Sequence, residues 1–230
     1  MECLHNGYTL EIPQGCFPLS TDSMALAGFV KLKKQATVLD LGSGCGTLGL
    51  LLCADHPECR VTGVELDKAA HTAALANIRS NGLTGRMESI CADLRQISTL
   101  VPPGSFSACV SNPPYFSGGP ESLTTPIARR ENCCSLEDLF RAATWALRYG
   151  GDFFLVHRPE RLGEIFACAA AMDLAPKRLC LLRHKAQGPV TLVLIQFRKG
   201  GKHGLLWEEA CLYDQNGEPT PYYRSLYHST

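Results

Sequence analysis

Apolar residues occur along the chain in two patterns that alternate over most of its length. Compact apolar runs predict buried β-strands, and longer segments with apolar positions three and four apart predict amphipathic helices. The predicted strands cover residues 8–12, 37–41, 60–64, 87–91, 106–110, 152–157, 177–182, 191–197 and 209–213. The predicted helices cover residues 24–30, 47–54, 67–81, 136–149 and 158–172.

The order of these elements predicts the fold class. From residue 37 to residue 157, strands alternate with helices, which is typical of a parallel sheet with helices on both faces. No convincing helix separates residues 177–182 from residues 191–197, so these two strands predict an antiparallel hairpin near the C-terminus. We therefore expect an α/β, Rossmann-like fold with a mostly parallel, seven-stranded sheet.

Composition narrows the function classes. The 230 residues suit one domain, with residues 1–36 as an N-terminal extension and helix and residues 37–230 as the catalytic core. The formal net charge is +0, which excludes a whole-molecule field that would attract nucleic acid or a membrane. Because neither a signal-peptide pattern nor an apolar run of membrane-spanning length is present, we expect a cytoplasmic protein without membrane association. The twelve cysteines lack metal-ligand spacing, so we expect reduced thiols and no metal site.

A glycine-rich turn follows the strand at residues 37–41. A strand, a glycine turn and a helix form the nucleotide-binding unit of a doubly wound sheet. A dinucleotide site has the pattern G-x-G-x-x-G, and here the third glycine comes one residue too soon. The pattern Asp-x-Gly-x-Gly-x-Gly instead indicates S-adenosylmethionine, whose amino-acid end would face this turn. The residues predicted to contact it are Asp40, Gly42, Ser43, Gly44 and Gly46.

Acidic residues follow the next two predicted strands. Glu65 lies about twenty residues beyond the glycine turn, the position at which a carboxylate accepts both hydroxyl protons of a ribose. Asp93 follows residues 87–91 and would accept from the adenine amine of the cofactor. The structural alternative for Glu65 is a surface residue that caps the following helix.

The apolar run at residues 106–110 ends in Asn112-Pro113-Pro114-Tyr115. The Asn112 side chain and the Pro113 carbonyl are acceptors, the prolines bring no backbone N–H, and Tyr115 or Phe116 offers a ring for stacking. Two acceptors beside an aromatic ring suit a planar base with an exocyclic amine. The alternative for this motif is a rigid Pro-Pro turn.

The region between Asp173 and Glu208 contains no acidic residue. Its lysines and arginines segregate positive charge in an otherwise neutral chain, which favours an RNA backbone as partner. A solvated basic surface is the alternative. The residues are Lys177, Arg178, Arg183, Lys185, Arg198, Lys199 and Lys202.

These motifs together resemble a known family. Asp40–Gly46, Glu65, Asp93 and the Asn-Pro-Pro-Tyr sequence resemble the class I S-adenosylmethionine-dependent methyltransferases that act on amino nitrogens. Over nearly the whole chain, the sequence is similar to the bacterial tRNA (adenine-N6) methyltransferases that modify the adenine beside the anticodon of a valine tRNA. The narrower motifs are Thr21–Ala27, Ala128-Arg129-Arg130-Glu131, Val156–Leu162, Pro176–Leu179 and Tyr213–Glu218.

The resemblance implies an activity and a set of site residues. It implies methyl transfer from S-adenosylmethionine to N6 of an adenine in tRNA, with S-adenosylhomocysteine as product, and we expect a monomer. It implies catalytic roles for Asn112, Pro113, Pro114 and Tyr115, and adds Asp22, Leu66 and Leu94 to the cofactor site. It assigns RNA contacts to Tyr115, Phe116, Arg129, Arg130, Lys177, Arg178 and Lys185. The chain departs from the family at Arg130, where a histidine is usual, and at residues 218–220, where a Tyr-Thr pair is usual.

The sequence motifs are also compatible with other functions. A glutamine side chain also presents an NH2 group, so N5 methylation of a release factor is the nearest rival, although that family has a larger N-terminal domain than residues 1–36. DNA adenine methylation would require a target-recognition domain. A cofactor-binding RNA-interaction module without turnover is the non-enzymatic alternative, and the intact Asn-Pro-Pro-Tyr motif argues against it.

Overall fold

The structure is a computed structural model that describes residues 2–4, 7–114 and 134–227. The strands in this part of the chain are β1 (Glu2–Cys3), β2 (Thr9–Leu10), β3 (Thr37–Leu41), β4 (Arg60–Glu65), β5 (Met87–Cys91), β6 (Phe106–Ser111), β7 (Leu147–His157), β8 (Leu174–Lys185), β9 (Val190–Lys199) and β10 (Leu206–Tyr213). The α-helices are α1 (Thr21–Phe29), α2 (Thr47–Asp55), α3 (Lys68–Ser80), α4 (Ile97–Leu100), α5 (Leu136–Ala146), α6 (Leu162–Ala171) and α7 (Pro221–Tyr227). Single 3-10 turns at Leu94–Gln96 and Pro159–Arg161 precede α4 and α6.

Eight strands form one sheet in the order β10-β8-β9-β7-β6-β3-β4-β5. Strand β9 is antiparallel to β7 and β8, and the other neighbours are parallel. The parallel strands β3 to β7 and the antiparallel pair of β8 and β9 agree with the prediction. The expected count of seven strands is wrong because β10 joins the sheet beside β8, from Leu206 opposite Arg178 to Tyr213 opposite Lys185. The apolar alternation that predicted a strand at residues 209–213 does not identify the partner of that strand.

Helices cover both faces of the sheet, as expected for this fold class. The core on one face includes buried residues of α1, α2, α3 and α7, and the core on the other includes residues of α4, α5 and α6. Phe140 of α5 packs edge-on against Phe153 of β7 and Phe197 of β9, with ring centroids 5.3 and 5.4 Å away. The sheet is therefore buried on both sides, and its carboxyl edge is where a ligand can enter.

The predicted helix at residues 136–149 ends earlier than expected. Leu147 has extended backbone angles and already pairs with Phe106 as the first residue of β7. The register then shifts between Phe106 and Ala108, and Gly150 has a φ of 75°. Gly150 therefore belongs to a β-bulge within the strand, which the sequence alone did not distinguish from a helix stop.

The N-terminal segment is held against α3 by side-chain amides. The Asn81 side chain accepts from the Thr9 amide and donates to the Thr9 carbonyl, at 2.8 and 2.7 Å. The Asn77 side chain makes the same pair of bonds with Glu11, at 2.8 and 2.9 Å. This attachment sets the path of the chain towards α1, which begins with Ser20 as its N-cap.

Candidate functional site

A cavity of about 420 Å³ opens at the carboxyl edge of the parallel strands. It lies between the turn after β3, the ends of β4, β5 and β6, and the segment that leads into α1. Ten residues predicted for the cofactor or catalytic site line it: Asp40, Gly42, Ser43, Gly44, Glu65, Leu66, Asp93, Leu94, Asn112 and Pro114. The structure thus brings together, in one cavity, residues that are up to 74 positions apart in the sequence.

The glycine turn is built on the end of β4. The amides of Gly42 and Ser43 both donate to the Val64 carbonyl, at 2.9 and 3.1 Å. Gly46 begins α2 with a φ of 86°, and a Cβ added to it would lie 2.9 Å from the Met87 side chain. Gly46 is buried, packs in the turn and is not part of the cavity wall, and its cofactor contact stays a prediction.

Glu65, the last residue of β4, faces the cavity and connects two loops. One carboxylate oxygen accepts from the Gly44 amide at 2.8 Å, and the other accepts from the Asp67 amide at 2.7 Å. Each carboxylate oxygen has a second lone pair, so these bonds leave acceptor capacity towards the cavity. The alternative, a surface residue that caps the following helix, is met in part, because Glu65 bonds Asp67, the N-cap residue of α3. The bond to Gly44 adds a contact with the glycine turn.

Asp40 is the most deeply buried acid of the cavity wall. It is 1% exposed, and neither carboxylate oxygen has a hydrogen-bond partner within the described residues. Burial raises the pKa of Asp40 to about 8, and the nearby Glu65 charge adds to the shift. A buried carboxyl group without a partner is costly, and a cationic ligand in the cavity would satisfy it.

Asp93 follows β5 and is held by its neighbour Arg95. The Arg95 Nε lies 3.0 and 2.9 Å from the two carboxylate oxygens, and this bond is the main cause of a lowered Asp93 pKa. Leu66 and Leu94 flank the same part of the cavity, and Leu66 is 49% exposed. Apolar side chains beside a fixed carboxylate suit a flat heterocycle that carries an amine.

Asn112 follows β6 directly and contacts the first turn of α1. Its Nδ2 donates to the Ser23 hydroxyl at 3.0 Å, and no donor in the described part of the chain contacts its Oδ1. Pro114 lines the cavity, whereas the Pro113 side chain is buried and does not. Two residues of the predicted catalytic motif, Asn112 and Pro114, therefore line the cavity.

The remaining predicted residues have different outcomes. Tyr115, Phe116, Arg129 and Arg130 lie outside the described residues. Asp22 lies in the first turn of α1 and is not part of the cavity wall.

Lys177, Arg178 and Lys185, three of the residues predicted to contact RNA, lie on β8, which β7 and β9 separate from β6. Three strand spacings amount to about 14 Å. Arg178 is engaged internally, because its Nε lies 2.8 Å from Glu208 and its guanidinium lies over the Phe29 ring at 4.1 Å. Lys177 donates to the Lys202 carbonyl at 2.7 Å, and Lys185 is exposed at the end of β8.

Several residues of the cavity wall were missed by the sequence reasoning. Phe17, 45% exposed, lies before α1, and Ser23 lies within it. Phe17 belongs to no motif with a recognisable spacing. Ser23 lies within the Thr21–Ala27 segment that carries the family resemblance, but the resemblance did not assign it to the site. The others are Cys45, Thr47, Leu48, Val64, Asp67, Ala92 and Cys134.

The described residues show two further features of the molecule. Within the ranges that the structure covers, no helix combines the length and the apolar character required to cross a bilayer. The same ranges contain no group of three or more histidine, cysteine or acidic side chains arranged to hold a metal ion.

The fold and the site together define a class I, Rossmann-like transferase architecture with its ligand cavity at the carboxyl edge of the sheet. The model of the family "Methyltransferase small domain" matches residues 19–165, and the chain belongs to this family. The protein is an S-adenosylmethionine-dependent methyltransferase.

Individual relatives and solved structures are also similar. A tRNA1(Val) (adenine(37)-N6)-methyltransferase of Photobacterium profundum is 28% identical over 208 residues, which cover 87% of this chain and 86% of the relative. A protein of the same name from Bacteroides fragilis is 29% identical over 184 residues, which cover 78% of this chain and 76% of that relative. The crystal structure of a predicted O-methyltransferase from Agrobacterium tumefaciens has a TM-score of 0.76 and 21% identity, covering 91% of this chain and 96% of that one.

Proposed function

We propose that this protein methylates N6 of an adenine in tRNA, next to the anticodon. The observation that carries the proposal is Asn112, whose Oδ1 is available at the cavity mouth while its Nδ2 is held by Ser23. The tRNA (adenine-N6) names of the relatives support the choice of substrate. They do not favour glutamine methylation or a binding module without turnover.

The residues of the cavity fit S-adenosylmethionine. When bound, this cofactor supplies a methyl group activated by a sulfonium. Asp40, with its two unpartnered oxygens, and the amides of the glycine turn would hold the charged amino-acid end. Glu65 would accept from the ribose hydroxyls, and Asp93 would accept from the adenine amine between Leu66 and Leu94.

Asn112 and the Pro113 carbonyl have the central chemical role. The lone pair of an aromatic amine is delocalised into its ring, which makes the nitrogen a weak nucleophile. Acceptors for both amine protons favour a pyramidal nitrogen with its lone pair directed at the methyl carbon. Because these acceptors strengthen as positive charge develops on nitrogen, they stabilise the transition state more than the ground state.

The target base must leave its stack to reach this cavity. An anticodon loop permits this at low cost, because its bases are already unpaired. Tyr115 or Phe116 would stack on the base, contributing roughly 1–3 kcal/mol. Lys185, the exposed last residue of β8, would contact the RNA backbone with Arg129 and Arg130. We further propose that the protein acts as a monomer in the cytoplasm, with residues 1–36 as an extension of the core at residues 37–230.

Transfer of a labelled methyl group tests the proposal. Bulk tRNA from a strain that lacks this protein is incubated with the purified protein and S-adenosylmethionine labelled on its methyl group. We expect label in RNA from the wild type and a loss of about 10²–10³-fold in Asn112→Ala, with cofactor affinity by calorimetry largely unchanged. Label that remains in Asn112→Ala, or that enters protein rather than RNA, would count against the proposed function.

A further inference from the structure

The first turn of α1 contacts the catalytic motif across a long sequence separation. Ser23 is 4% exposed, and its hydroxyl accepts from Asn112 Nδ2 at 3.0 Å. The same hydroxyl lies 3.4 Å from the hydroxyl of Ser20, the N-cap of the helix. Three polar side chains thus form a short chain from the helix N-terminus to the catalytic amide.

The direction of this hydrogen-bond chain determines which end of the amide faces the cavity. A carboxamide has an acceptor oxygen and a donor nitrogen that differ little in shape, so packing alone discriminates poorly between them. When the Ser23 hydroxyl donates to Ser20, its remaining lone pairs face Asn112 and can be matched only by the Nδ2 donor. Asn112 Oδ1 then faces the cavity.

The orientation matters because the proposed reaction uses the amide oxygen. A flipped Asn112 would present Nδ2 donors to the target amine, which itself has two protons to donate. The N–H groups of Asn112 and of the target amine would then face each other and repel. The site would also lose one of the two acceptors that stabilise the developing charge.

We propose that Ser23 is a positioning residue that fixes the rotamer of the Asn112 amide, with Oδ1 directed at the target amine. This inference rests on the proposed function for its effect on catalysis. Ser23 acts through Asn112, so it contributes to the rate of transfer and not to the binding of either substrate. The nearby Ser20 supports the hydroxyl from the helix N-cap.

Kinetics of Ser23→Ala and Ser23→Thr test this role. We expect kcat to fall about tenfold in Ser23→Ala, with KM for tRNA and Kd for S-adenosylhomocysteine within twofold of the wild type. Ser23→Thr keeps the hydroxyl and should restore most of kcat. Ser225→Ala is the control, because Ser225 is an exposed serine of α7 that does not line the cavity, and its hydroxyl donates to the Tyr222 carbonyl. Thermal melting establishes that each variant is folded.

Nuclear magnetic resonance of the Asn112 side chain gives a readout without turnover. The Nδ2 signals, identified by their loss in Asn112→Asp, should show one strongly hydrogen-bonded proton in the wild type and in Ser23→Thr. The chemical shift of this proton should move to the value of a non-bonded amide in Ser23→Ala and stay unchanged in Ser225→Ala.

The two readouts separate the inference from the proposed function. An Asn112 signal that is the same in the wild type and in Ser23→Ala overturns the inference, as does a Ser23→Ala enzyme with wild-type kcat. A fall in kcat that comes with an equal loss of cofactor affinity or of folding also overturns it, because Ser23 would then be merely structural. If the wild type forms no N6-methyladenine, the proposed function fails, and the resonance comparison still decides whether Ser23 holds the amide.

Discussion

At the scale of single residues, the chemistry of the cavity depends on a few polar side chains that are buried or held by neighbours. The strand-end acids and the glycine turn could be predicted, because their spacing relative to the strands determines where they lie. Phe17 could not, because the segment before α1 carries no spacing signal. Ser23 lies in the Thr21–Ala27 motif, but the motif does not show that its third residue contacts Asn112. The bond between Arg178 and Glu208 could not be predicted either, because the sequence does not indicate which acidic residue a basic residue pairs with.

Asp40 should make cofactor binding depend on pH. In the free protein its pKa is raised to about 8, so at neutral pH the carboxyl group is mostly protonated. A cationic ammonium group beside it favours the ionised form, and binding therefore requires the loss of a proton. Affinity for S-adenosylhomocysteine should rise by up to about tenfold per pH unit from pH 6 and level off near pH 8.

Calorimetry at a series of pH values measures this dependence. Asp40→Asn should bind more weakly near pH 8 and show a much flatter profile between pH 6 and 8. A flat profile in the wild type would show that the cofactor does not engage the Asp40 carboxylate.

The main effect of Glu65→Ala should be weaker binding of the cofactor. The change removes the proposed ribose acceptor and also the two bonds that hold Gly44 and Asp67, so a loss of roughly 10–100-fold in affinity is expected. The matched control is Glu88→Ala on neighbouring β5, where an exposed carboxylate bonds Thr62. Unchanged affinity in Glu65→Ala would remove Glu65 from the ribose site.

At the scale of elements, the strands β3 to β6 and the helices α2 and α3 begin and end within one or two residues of the prediction. Their boundaries are coded locally, by caps such as Asp67, whose side chain accepts from the Ala69 and Ala70 amides. The errors occur where pairing decides the structure, as in the bulge at Gly150 and the addition of β10 beside β8. The short helix α7 was missed because seven residues are too few for a helical apolar period to be recognised. Its formation depends on packing, including a 3.1 Å contact between Thr21 and Tyr227.

Asn77 of α3 connects three segments and should be important for stability. It is 2% exposed, and besides its two bonds to Glu11 its Nδ2 donates to the Cys45 carbonyl in the glycine turn, at 3.0 Å. Asn77→Ala should lower the free energy of unfolding by about 1–3 kcal/mol, because the Cys45 carbonyl loses its partner in a buried position.

Urea denaturation measures the free energy of unfolding of Asn77→Ala, with Asn216→Ala as the control. Asn216 is exposed in the turn before Gly217, and its truncation should change stability by less than about 0.5 kcal/mol. Equal stability of the two variants would contradict the role assigned to Asn77.

At the scale of the whole molecule, the neutral net charge conceals an uneven distribution. Several cations of the basic region at residues 174–207 are used within the fold. Arg198 bonds Asp152 at 2.8 and 3.0 Å, and Lys199 donates to the Thr144 and Leu147 carbonyls. The region therefore offers RNA fewer charges than its sequence suggests, and Lys185 is an exposed charge at the end of β8.

Lys185→Ala should weaken RNA binding through the loss of one phosphate contact. The dependence of log affinity on log salt concentration should become shallower by about one, with little change in sequence preference. Arg79→Ala, at an exposed position near the end of α3, is the control and should leave the slope unchanged. Filter binding of tRNA at several salt concentrations measures both variants, and equal slopes would exclude a phosphate contact by Lys185.

Methylation of adenine N6 next to the anticodon of tRNA is the central proposal. Determining which atom is methylated, and at which nucleotide, tests it. Mass spectrometry of nuclease fragments, after reaction of unmodified tRNA with the wild type, should locate N6-methyladenine at the single adenine next to the anticodon, and Asn112→Ala should produce at least about 100-fold less. Methylation at a ribose oxygen or at a ring nitrogen would contradict the proposed mechanism, because neither atom has the two N–H protons that Asn112 and Pro113 would accept. Methylation of a glutamine side chain would contradict the proposed tRNA substrate.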